Sequence, residues 1–156
     1  MKTHNTLPKN ARSVSSVILQ ASLADTLDAW SHTKQAHWNV RGPGFIAIHE
    51  LFDKVADALA ESADAIAERL ATLGGSPSGT ARDVAKRTAL KPYPHGIASE
   101  RRHVDALCKS LAALATSWRE AIDRCDDAGD AVTTDLFTRL AGELDKYIWL
   151  IESHIA

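Results

Sequence analysis

The sequence predicts an all-α fold, a four-helix bundle with one long crossover. Alanine is abundant and strand signals are nearly absent. Four long stretches carry apolar residues at helical spacing. Glycine and proline mark the breaks, and one break is far longer than the others. A bundle connected in this way is a known topology that often holds metals between its helices.

The first helix is predicted from about Val14 to Val40, with Leu19, Leu23, Leu27 and Trp30 as its apolar stripe. Arg41 to Gly44 end it, because Pro43 has no N–H to continue the ladder and the glycines permit a turn. The second runs from about Phe45 to Leu73 and stops at Gly74 and Gly75. A third starts near Ser99, a residue type that caps helix N-termini, and fades in the acidic segment Cys125 to Asp130. The fourth starts near Asp130 and reaches the C-terminus. Between the second and third, the crossover from Gly74 to Gly96 carries a short extra helix within Thr80 to Leu90. Residues 1–13 are predicted as a flexible basic arm, since Lys2, Lys9 and Arg12 precede the first acidic residue, Asp25. Residues 14–156 are the bundle domain. The chain has no internal repeat and no low-complexity tract.

Length and composition bound the function. A chain of 156 residues makes one domain with a proper core. Hydrophobic residues at 45% with 24% charged exclude a disordered chain. A net charge of -2 argues against a uniformly basic nucleic-acid binder. No apolar run approaches the roughly 18 residues that span a bilayer, and Met1 to Arg12 lacks a secretory pattern. Cys108 and Cys125 form neither a CxxC nor a disulfide framework and read as reduced thiols. These features predict a cytoplasmic protein without membrane partners.

On a wheel of about 100° per residue, the second helix has two faces. Phe45, Ile48, Phe52, Val55, Leu59, Ile66, Leu70 and Leu73 form the face that a bundle core needs. His49, Asp53, Asp64 and Glu68 share an adjoining arc with Asp57 and with Ala56, Ala60, Ala67 and Ala71, which are small enough to admit another helix. Imidazole with carboxylate suits iron or a similar divalent metal, whereas a structural zinc site more often uses thiolates. Charged residues on a helix face are ordinarily just solvated, and His49 with Asp53 alone reads as a surface pair. Convergence of several ligand types beside an alanine seam outweighs that reading.

Residues fifteen apart lie about 22 Å apart along a helix, so one chain cannot bring both His49/Asp53 and Asp64/Glu68 to one metal. The index sums of His49 with Glu68 and of Asp53 with Asp64 are equal. A two-fold axis near Ala58 and Leu59 therefore lays His49 beside Glu68 of a second copy, and Asp53 beside its Asp64, making two identical sites per dimer. The Arg41–Gly44 turn is placed to fold the end of the first helix back and deliver His37 to the same point.

The strings KQAHWNVRGPGFIAIHELFD and ADAIAERL, with the C-terminal DLFTRLAGELDKYIWLIESHI, resemble the signature of the Dps family, the ferritin-like DNA-binding proteins from starved cells. The resemblance covers most of the chain. It implies a ferritin-like bundle that assembles from two-fold dimers into a hollow homododecamer. It implies a ferroxidase that oxidises Fe²⁺, usually with hydrogen peroxide, and stores ferric mineral, which protects DNA from oxidative damage. The family's metal ligands carry over onto His37, His49 and Asp53 of one subunit and Asp64 and Glu68 of its neighbour, with Zn or Mn as substitute ions. Trp38 matches an aromatic near the family's iron site, and core packing is its other reading. Many members also grip DNA through a lysine-rich arm, here reduced to Lys2, Lys9 and Arg12. The alternative function is thus a nucleoid-associated, DNA-compacting protein whose metal site is incidental or non-redox.

Other motifs are weaker. Glu100 and His103 match the Glu-x-x-His element of other di-iron bundles, which need it twice. His32 and His154 fall in helices, and His4 and His95 in loops. The acidic segment before the fourth helix, with Asp135, is a candidate iron-entry lining, set against a solvated loop in which Asp130 caps that helix.

Overall fold

Five helices make up the computed structural model, which describes residues 3–155: α1 (Lys9–Asn39), α2 (Phe45–Thr72), α3 (Ala81–Arg87), α4 (Glu100–Asp127) and α5 (Ala131–Glu152). No strand occurs among the described residues. The long helices pair as α1 with α2 and α4 with α5, and α1–α4 and α2–α5 contacts close the bundle. The short α3, carried by the crossover, packs on α1.

The predicted stripe of α2 is the one that folds inward: Ile48, Phe52, Val55, Leu59, Ile66 and Leu70 are buried. They meet Leu19 of α1, Leu107, Leu111, Leu114 and Trp118 of α4, and Phe137 and Ile151 of α5. Burying a large apolar side chain contributes about 1.5–3 kcal/mol, so this shared layer is what holds four amphipathic helices together.

The start of α1 differs from the expectation. The helix begins at Lys9, not Val14, with the Pro8 carbonyl accepting from the Arg12 N–H at 3.0 Å. Its added turn buries Ala11, a small residue that carries little hydropathic signal. Lys9 and Arg12 are therefore helical rather than part of an arm. Ahead of them, Asn5 and Thr3 donate to the Thr72 carbonyl at the end of α2, and Leu7 packs against the core. Lys2 lies outside the described residues.

The turn between α1 and α2 is pinned to the start of α4. Val40 is extended (φ -61°, ψ 138°), the Arg41 N–H donates to Ala98 O at 2.7 Å, and the Glu100 N–H donates to Arg41 O at 3.2 Å. Gly42 has φ 155°, and a Cβ there would collide with the Glu100 carboxylate. Asp130 caps α5 as expected, accepting from the Thr133 N–H at 3.1 Å. It is also buried and ion-paired with Arg69 of α2 at 2.7 Å, so it ties two helices together rather than lining a solvated loop.

Candidate metal centre

The reversal at Arg41–Gly44 lays the last turn of α1 against the first turns of α2, and this is what joins His37 to His49. Their rings stack with centroids 3.7 Å apart and planes at 21°. The His37 Nδ1–H donates to the His49 carbonyl at 2.9 Å, and the His49 Nδ1–H donates to the His37 carbonyl at 3.0 Å. The His37 carbonyl lies in the final turn of its helix, where carbonyls lack helical partners. A carbonyl only accepts, so each Nδ1 carries a proton, and it is Nε2 that offers the lone pair when the ring is neutral. Such a backbone bond sets the tautomer and orientation of a metal-binding histidine.

Asp53, one turn beyond His49, brings its Oδ1 to 3.8 Å from His37 Nε2. Lys34 was absent from the sequence-based site, yet its Nζ donates to the same oxygen at 2.6 Å. That hydrogen bond is the first cause holding the Asp53 carboxyl below its ordinary range. The clue to Lys34 was its position one helical turn before His37, on the same face of α1. The His37 side chain is 11% exposed and that of Asp53 49%, so the carboxylate opens to solvent while the imidazole is held inside.

Asp64 and Glu68 are exposed and stand farther along α2, apart from the histidine pair. Among the described residues, no three His, Cys, Asp or Glu side chains close around a metal-sized point. Within one chain, His49 and Asp53 thus stand toward one end of α2, and Asp64 and Glu68 toward the other. Beside Asp64, an apolar groove of about 480 Å³ runs between Leu23, Leu27 and Trp30 of α1 and Ala60, Ala63 and Ala67 of α2. Trp30 belongs to this groove at 37% exposure, not to the core stripe expected of it. Trp38 does not pack in the core either and is 59% exposed: its neighbours Ala36 and Val40 take the inward positions.

The remaining histidines divide by burial. His103 has both nitrogens engaged, by the Tyr93 hydroxyl at 2.9 Å and the Ile97 carbonyl at 3.0 Å. It has no nitrogen free for a metal, which removes the Glu-x-x-His match. His32 is buried, whereas His4, His95 and His154 are exposed.

Residues 17–156 match the family model of the ferritin-like domain. The chain is 46% identical over 158 residues to the DNA protection during starvation protein of Agrobacterium fabrum, covering 99% of this chain and 98% of that one. It resembles the Dps of Mycobacterium smegmatis with a TM-score of 0.93 at 33% identity, over 99% of this chain and 94% of that one. The Dps of Microbacterium arborescens, solved in a high-iron form, gives a TM-score of 0.90 at 28% identity, over 99% of both chains.

Proposed function

The chain belongs to the Dps family of ferritin-like DNA-protection proteins, and from that premise we propose that it is a ferroxidase and iron-storage subunit. Fe²⁺ is the substrate. His37, His49 and Asp53 of one protomer hold it together with Asp64 and Glu68 of the partner subunit, across a two-fold axis. Two ferrous ions each give one electron to hydrogen peroxide, the O–O bond breaks, and two protons complete two waters. Ferric product collects inside a hollow homododecamer. Consuming iron and peroxide together suppresses hydroxyl-radical formation, and this protects DNA without requiring contact with it.

One observation carries this reading: the reciprocal Nδ1–H bonds of His37 and His49 leave both Nε2 atoms without a backbone partner, that of His37 3.8 Å from the Asp53 carboxylate. Neutral imidazole with carboxylate suits Fe²⁺ while leaving room for an oxidant. Further support comes from the half set of ligands in one chain and from the apolar groove beside Asp64, which a second copy of α1 and α2 would cover.

Anaerobic Fe²⁺ loading followed by peroxide, read by absorbance, tests the proposal. The His37→Ala/His49→Ala variant is expected to lose at least about tenfold in initial rate while remaining assembled. An unchanged rate moves the site elsewhere. Wild-type protein that binds the metal but shows no absorbance change with peroxide supports the non-redox zinc or manganese alternative.

A further inference from the structure

Away from the metal centre, a cavity of about 630 Å³ opens between α1, α4 and the crossover segment 89–97. Its volume lies in the range of small-molecule sites. Leu90, Pro92, Ile97 and Ala106 give it an apolar floor, and Tyr93 and His32 form an aromatic wall with ring centroids 5.3 Å apart at 39°. The polar groups of that wall are already matched. The Ser110 hydroxyl donates to His32 Nδ1 at 2.8 Å, His32 Nε2–H faces Asp28 Oδ1 at 3.3 Å, and the Tyr93 hydroxyl donates to His103. Burial holds the His32 imidazole below its ordinary value, so the wall is neutral.

The charge at the mouth is not matched. Lys91, Arg102 and Lys109 all line the cavity, and among the described residues none has an ion-pair partner within 4.0 Å. Asp105 lines it too and pairs with none of them. Arg102 and Lys109 share a face of α4 about 10 Å apart, with Ala106 between them leaving the way in clear. Flat rings and prolines favour a flat ring, and three unspent cations favour an acidic group on it.

We propose that this cavity binds small aromatic anions, with the ring against Tyr93 and His32 and the carboxylate, sulfonate or phosphate among Lys91, Arg102 and Lys109. The site shares no residue with the metal centre and stands whether or not the iron reading does. Fluorescence titration of the assembled protein with 1-anilinonaphthalene-8-sulfonate tests it, with uncharged N-phenyl-1-naphthylamine as the matched control. One saturable sulfonate site per chain is expected, weakened roughly tenfold in Arg102→Glu/Lys109→Glu and lost in Ala106→Phe, which fills the cavity. Fe²⁺ oxidation and melting are expected to match wild type in each variant. In the wild-type protein, raising NaCl from about 0.05 to 0.5 M weakens the sulfonate and leaves the naphthylamine unchanged. The proposal is overturned by any of four results: no saturable site, equal affinity for the uncharged probe, no salt dependence, or unaltered binding in either folded variant.

Discussion

At the residue scale, Lys34 competes with any metal for one oxygen of Asp53. The 2.6 Å contact must open before Asp53 Oδ1 can bind a cation, and Lys34 itself repels one. We predict that Lys34→Met tightens Fe²⁺ binding by roughly threefold to tenfold, measured by anaerobic calorimetry. Equal or weaker binding would show that Lys34 positions Asp53 rather than blocking it. A second residue-scale prediction concerns pH. Burial is the leading cause that holds the imidazoles of His32 and His103 below their ordinary value of 6.5. Their stabilisation is therefore complete above pH 6.5 and is lost as pH falls toward the lower folded values, because the unfolded chain takes the protons first. Melting temperature is expected to drop between about pH 7.5 and 5, and His32→Gln/His103→Gln to flatten that dependence. Parallel slopes in variant and wild type would assign the drop to other groups.

At the element scale, the Arg69–Asp130 pair joins α2 to α5 and also starts α5. Burial pushes the Asp130 carboxyl up, but hydrogen bonds from Thr133 and the nearby Arg69 guanidinium outweigh it and hold the group low. Removing Asp130 leaves Arg69 without its partner and α5 without its cap. Asp130→Ala is expected to cost about 3 kcal/mol or more in urea unfolding. A loss under about 1 kcal/mol would mean that water replaces the carboxylate fully. The helix spans were legible from apolar spacing and from Gly/Pro breaks, except where α1 begins and where α5 ends, at Glu152 rather than at the C-terminus. At the start of α1 the inward residue of the missed turn is Ala11, and the burial of so small a side chain leaves little hydropathic trace.

At the scale of the whole molecule, the separation of His49/Asp53 from Asp64/Glu68 along one rigid helix sets up a decisive test. Consider His37→Ala/His49→Ala and Asp64→Ala/Glu68→Ala, each expected to be inactive. Subunits of the two, mixed and reassembled, form some dimers in which one interface site is wholly wild type and the other lacks all four side chains. Peroxide-driven oxidation is then expected to reappear at a fraction of the wild-type rate. Sites built within one chain would stay damaged in every dimer. Mixtures shown by mass spectrometry to contain mixed dimers, yet with no recovered activity, would eliminate the shared site.

The sequence by itself determined the bundle, its crossover with the short helix, and the two faces of α2. These follow from local periodicity and from residues that cannot continue a helix. It also brought His37, His49 and Asp53 together on paper, because a Pro/Gly turn forces the two helices to double back. Only the tertiary structure decided what those groups do at close range. The Nδ1 bonds need two backbones at hydrogen-bond distance, and Lys34 reaches Asp53 only because α1 lies against α2. Likewise, Trp30 and Leu27 read as core from spacing alone. The packing placed Trp30 beside an open groove, since a helical stripe records which face is apolar but not which neighbour covers it.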